Sequence, residues 1–211
     1  MNNQYIWQNA DLRKMTWQDN AFSTLISEVS LRRGNLLGRL SMFGFKEQGD
    51  SMLDSLTEEI VHSSEIEGES LNRDSVRSSV ARQLGLEHDG LPKTDHYIEG
   101  VVQVMLDATQ HFREPLTQER LFGWHSALFP TGYSGMYKIT VGDWRKGEEA
   151  MQVVSGAMGR QKVHYEAPPS CAVPEMMTQL LAWVDDDTLG IDPLVKAAVA
   201  HLWFVTIHPF D

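Results

Sequence analysis

A single cysteine, Cys171, stands in the whole chain, so no internal disulfide holds it together, and no histidine beside it makes a thiolate pair. The 18 Lys and Arg form no run and the formal net charge is -11. Proteins that grip a phosphate backbone gather their cations on one face, so no specific nucleic acid is expected as a partner. The first thirty residues lack a basic stretch leading into an apolar one. The longest strongly apolar run, 197–207, is too short to cross a bilayer and carries His201. These absences lead to the expectation of a cytoplasmic protein without a membrane segment. Metal-ligand spacing of the H-E-x-x-H kind is missing as well, since His62, His88, His96, His111, His125, His164 and His201 are scattered. Asp185-Asp186-Asp187 reads as a solvated helix end, and the tryptophans at helical spacing read as core.

What is present is a 42% hydrophobic composition over 211 residues, enough for one substantial core or two smaller ones. Phe22, Leu25, Ile26, Val29, Leu36, Leu37 and Leu40 recur at helical spacing and predict a helix over about 19–42, with Gly34 and Gly38 weakening it. A loop over 44–50 is expected next. Leu53, Leu56, Ile60 and Val61 then mark a helix that Gly68 can stop by taking a left-handed conformation. Val76, Val80 and Leu84 mark a third, ended by Gly85. The stretch 87–93, with Gly90 and Pro92, is the candidate boundary between an N-terminal helical domain, 1–90, and a second part, 91–211. Ile98, Val101, Val102, Met105 and Leu106 open that second part as a helix, and Thr117 caps another carrying Leu121, Trp124 and Leu128. Glycines then crowd 132–169, where Val153-Val154 and Val163-His164-Tyr165 predict one β-hairpin over about 151–166, stopped by Pro168-Pro169. Two more helices follow, one from Pro174 and one capped by Asp192 with Pro193 at its first position. The expected fold is mainly α: a helical body with one hairpin attached.

The last of these helices delivers His208 into Pro209, which disfavours helical geometry at the residue before it. An imidazole at the junction of a buried helix and a loop suits a general base. The same residue reads as a structural histidine bonded to local carbonyls, and the spacing alone leaves both open. Asp211 has the hard carboxylate that a Mg²⁺ ion takes alongside phosphate oxygens, or it is a loop carboxylate. Pro209 and Phe210 are expected to anchor the turn in the core under either reading.

His208-Pro209-Phe210-Asp211 resembles the opening of the Fic/Doc active-site signature, H-P-F-(D/E)-G-N-G-R. Ser63-Ser64-Glu65-Ile66-Glu67-Gly68 resembles the inhibitory-helix signature of the same family, (S/T)-x-x-x-E-(G/N). The string from Leu56 to Leu71 is also similar to the helical domain that often precedes the core in this group. The resemblance implies a Fic-like helical bundle with a hairpin flap, preceded by a helical domain whose inhibitory helix covers about 50–68. It implies an autoinhibited adenylyltransferase that moves AMP from ATP to a Ser, Thr or Tyr hydroxyl of a target protein. His208 is then the base and Asp211 the ligand of Mg²⁺ on the nucleotide. Ser63, Glu67 and Gly68 form the inhibitory motif. Val153, Val154, Val163 and Tyr165 are the flap that binds the target.

The chain stops before G-N-G-R, so the 211 residues are expected to hold the base, to lack the phosphate cradle, and not to transfer AMP by themselves. Two alternatives stand beside this reading: removal of AMP, with Glu67 orienting a water, and a non-catalytic regulatory or dimerisation module. A homodimer is compatible with each. One departure from the family pattern concerns the segment before the flap, where Gly135-Met136-Tyr137-Lys138 replaces Gly-x-(Tyr/Phe)-Arg. Whether Arg145 compensates is left open by the residues.

Overall fold

A computed structural model describes residues 5–8, 15–18, 21–41, 45–86, 95–157 and 160–211. It is mainly helical, with seven α-helices among the described residues and two small antiparallel sheets. The helices are α1 (Ser23–Leu40), α2 (Phe45–Ile66), α3 (Arg73–Gln83), α4 (His96–Gln110), α5 (Gln118–Leu128), α6 (Val173–Val184) and α7 (Pro193–Ile207). The strands are β1 (Tyr133–Ser134), β2 (Tyr137–Lys138), β3 (Gln152–Ser155) and β4 (Lys162–Glu166). The chain divides into two compact units. One comprises Met1–Trp17, Pro115–His125 and Gly132–Asp211, the other Gln18–Glu114 with Ser126–Thr131. The boundary expected at 87–93 lies outside the described residues. Helix α4, read from sequence as the first helix of the second part, shares its core with α2 and α3.

In the unit formed mainly by 18–114, Leu53, Ile60 and Val61 of α2, Val76 and Val80 of α3, and Ile98, Val102 and Leu106 of α4 make one buried cluster. Ion pairs run along its surface: Arg73 with Glu58, Arg77 with Asp54 and Arg82 with Glu99. Their exposure leaves each screened by water and salt, so the apolar cluster decides the packing. The expected loop over 44–50 is corrected, because α2 is already helical from Phe45 and runs through Gly49 and Asp50. A glycine within a helix costs about 1 kcal/mol against Ala, which the length of α2 absorbs. Helix α1 forms where its period places it, yet none of its residues is buried and Leu25, Val29, Leu36 and Leu37 are exposed.

The end of α2 is a Schellman turn. Glu69 N–H donates to the Ser64 carbonyl and Gly68 N–H to the Glu65 carbonyl, with Gly68 at φ 87°. Gly85 closes α3 in the same way, with Leu86 N–H donating to the Ala81 carbonyl. Both glycine stops read from the sequence are present.

In the other unit, Leu121, Trp144, Val173, Met177, Leu180, Trp203 and Ile207 form the core. The expected hairpin is β3–β4, antiparallel, with Val153 opposite Tyr165 and Val154 opposite Val163. His164 is the extra residue of a bulge between those two pairs. A second hairpin, β1–β2, was not anticipated; each strand has two residues, too few to show a period.

Gly100 of α4 is fixed by close approach. A Cβ placed there would lie 2.0 Å from the backbone oxygen of Ala127. Gly100→Ala should therefore destabilise the protein by about 1–3 kcal/mol by overpacking, read as a lower urea midpoint. An unchanged midpoint would show that the backbone at 127 yields freely.

Candidate active site

The site is built at the end of α7. Asp192 caps the helix by accepting from Leu194 N–H at 2.9 Å, and Pro193 fills the first position, where no amide donor is needed. The helix is apolar almost throughout, and Trp203, Thr206 and Ile207 are buried. It ends at His208, whose N–H still donates to the Phe204 carbonyl at 3.0 Å but whose backbone turns left-handed, φ 51° and ψ 65°. His208 is the one non-glycine residue with positive φ among those described. Such a conformation persists only where its surroundings hold it in place.

Arg145 does the holding. It is 4% exposed. Its Nε donates to the His208 carbonyl at 2.6 Å, and its Nη2 to the carbonyls of Pro168 at 2.6 Å and Ile207 at 3.3 Å. Its own N–H donates to the Pro209 carbonyl at 2.8 Å. Three successive carbonyls, 207 to 209, thus end on one residue. The last carbonyls of a helix lack intrahelical donors and carry the negative end of its dipole, so a buried guanidinium meets both needs there.

Pro209 is buried, and Phe210 is packed as the sequence implies. Its ring stacks on His125 at 4.2 Å and meets Trp144 at 5.2 Å, Phe204 at 6.3 Å and Phe122 at 6.4 Å. Asp211 is exposed, and its Oδ2 accepts from Thr140 N–H at 2.7 Å. The hairpin is tied to the same helix: the Tyr165 hydroxyl donates to the Thr206 carbonyl, and burial pushes its pKa up to about 12. Tyr165, expected to face a target, is turned toward α7, whereas Val153, Val154 and Val163 are exposed. Trp7 Nε1 donates to the Glu166 carbonyl at 2.7 Å and Tyr5 meets Tyr165 edge-on at 5.4 Å, which fastens an N-terminal segment to β4.

In the other unit, Ser63 lies in α2 and Glu67 in the turn beyond it, exposed, immediately before Gly68. Among the described residues no group of three or more His, Cys, Asp and Glu is placed to hold a metal, and no helix is long and apolar enough to cross a membrane.

Arg145, His125 and Thr140 were not among the site residues read from sequence. His125 had a usable signal, lying four residues after Leu121 on the same helical face. Arg145, between Trp144 and Lys146, looks like any solvated cation until the fold brings 207–209 to it.

An apolar helix that ends in a left-handed histidine, beside a tied hairpin, marks a helical bundle with a histidine where its last helix becomes a loop. Residues 115–211 match the Fic/DOC family. Residues 5–86 match a domain of unknown function, DUF4172. The structure is similar to the crystal structure of a Fic family protein from Desulfovibrio desulfuricans G20, with TM-score 0.55 and 22% identity. The alignment covers 93% of this chain and 54% of that one, so the chain spans about half of that protein's length. At this identity the likeness is one of fold. Comparison with curated proteins gives no match.

Burial holds the His125 and His208 imidazoles below the ordinary histidine value of 6.5. Arg145 adds to the depression at His208, and Asp211 partly opposes it at His125. The unfolded chain therefore takes up protons first as pH falls. Stability is full above about pH 6.5 and declines as the pH drops toward the folded values. The urea midpoint should fall between about pH 7.5 and about pH 5.5, and His125→Phe, which keeps the ring on Phe210, should flatten that fall. Equal slopes in the two proteins would remove His125 as a source.

Proposed function

We propose that the Fic domain transfers AMP from ATP to a hydroxyl group of a target protein, with His208 as the general base. The observation that carries this reading is the His208–Asp211 turn. It places a half-buried imidazole, depressed toward its neutral form, at the mouth of a loop whose carboxylate is already oriented by Thr140 N–H. A neutral imidazole can take the proton of an attacking hydroxyl. Transfer of a nucleotidyl group depends mainly on positioning and on neutralising charge.

Asp211 fits a hard cation. Thr140 N–H takes one of its oxygens, Oδ2, and a Mg²⁺ ion, which needs only one or two carboxylates beside phosphate oxygens, would meet the other. That ion would supply neutralisation of the triphosphate charge. The chain's own work is to hold the carboxylate still, to aim the imidazole, and to offer a docking edge. Val153, Val154 and Val163 are exposed on a hairpin that Tyr165 anchors, as an extended target segment would require.

Regulation belongs to the same proposal. Glu67 is an exposed carboxylate on a hydrogen-bonded Schellman turn, able to make a bidentate, charge-assisted pair with an arginine that would otherwise hold phosphate.

In a form of the protein carrying the whole signature, His208→Ala should lower transfer from α-labelled ATP by about 100-fold or more while nucleotide binding persists. Unchanged turnover at neutral pH would rule His208 out as the base. Glu67→Gly in the same form should raise self-labelling and target labelling, because only a competing contact is lost. A variant no more active than its parent would reduce the segment to a glycine-stopped helix end.

A further inference from the structure

We propose that Arg145 is a positioning residue for His208: its bonds fix the two peptide planes on either side of the imidazole-bearing residue. The inference rests on the reading of His208 as a general base and goes beyond it.

The argument is first geometric. The direction of a side chain is set by the φ and ψ of its own residue, that is, by the peptide planes before and after it. For His208 those planes carry the carbonyls of Ile207 and His208, and both accept from the Arg145 guanidinium. The next plane, carrying the Pro209 carbonyl, accepts from the Arg145 backbone N–H. The left-handed backbone at His208 would otherwise relax, since a residue before proline prefers an extended conformation. A fork that also reaches the Pro168 carbonyl, beside the foot of β4, couples this turn to the hairpin. A planar guanidinium makes these bonds from one rigid group, which a flexible ammonium does not reproduce.

The second part is electrostatic. Arg145 is the charged group acting on the His208 imidazole, and it disfavours protonation there. Asp211, on the same loop, acts on Arg145 and on His125. Tyr165, with its pKa pushed to about 12, is uncharged near neutrality, and His125 is held toward its neutral form by burial. A guanidinium does not lose its proton under ordinary conditions, so its influence on His208 persists across the working range.

The test uses Arg145→Met, which removes charge and fork, and Arg145→Lys, which keeps the charge. Each is made in the protein with the whole signature and compared with wild type by NMR titration of the His208 imidazole and by kcat and KM against pH. In the Met variant the imidazole should titrate at higher pH, and the acidic limb of kcat should move with it. In both variants the plateau kcat should fall by about 10- to 100-fold with KM for the nucleotide little changed. The Lys variant should keep its imidazole titration nearer to wild type. If the Met variant does not fold, the Lys variant decides by its plateau. An unmoved titration in a folded Met variant, or a plateau within about twofold of wild type in either folded variant, overturns the proposal. His208→Ala, run in parallel, separates the two failures. Loss of activity there with wild-type behaviour at Arg145 sinks only this inference, whereas full activity there sinks the base itself.

Discussion

A buried guanidinium at the negative end of an apolar helix is the constraint on which the site depends. Removing an Arg from water costs several kcal/mol unless its donors are met, and burial indeed acts against the charge of Arg145. The carbonyls of Pro168, Ile207 and His208 meet those donors. The same carbonyls would otherwise be orphaned at the helix end and beside a proline that has no N–H to offer. Each side therefore satisfies the other. The strained backbone of His208 survives because the group that holds it would be left unsatisfied if it relaxed.

Around this clamp the packing is aromatic. Phe210 sits among His125, Phe122, Trp144 and Phe204, so the loop after His208 is pinned by rings on one side and by Arg145 on the other. Burial disfavours the protonated form of the stacked His125 imidazole. Trp144 connects the two devices, since it contacts Phe210 and immediately precedes Arg145. Its indole N–H donates to Gln118 at 3.2 Å, which ties the same residue to α5.

Local rules made much of this legible in advance. The two glycine stops at Gly68 and Gly85, the Asp192 cap, the β3–β4 hairpin and the interruption of the helix at His208 each follow from residues within a few positions of one another. Burial was less legible. Leu25, Val29, Leu36 and Leu37 have the period of an apolar face yet are exposed, because period tells which residues share a face and says nothing of what covers it. The loop expected over 44–50 failed for a related reason: one glycine is a weak helix breaker when a long amphipathic stretch follows.

What the sequence could not display is contact between distant positions. Arg145 reaches residues some sixty positions away, Thr140 reaches Asp211, Tyr165 reaches Thr206, and Trp7 reaches Glu166. All four contacts involve a backbone group, as carbonyl or amide, so no pairing of side-chain types betrays them. That also bears on the departure at Lys138, where an arginine was expected. Lys138 lies in the exposed strand β2, and the guanidinium that meets the turn comes from Arg145, seven residues later. A bond to backbone constrains where the donor ends, and leaves open which position in the chain sends it.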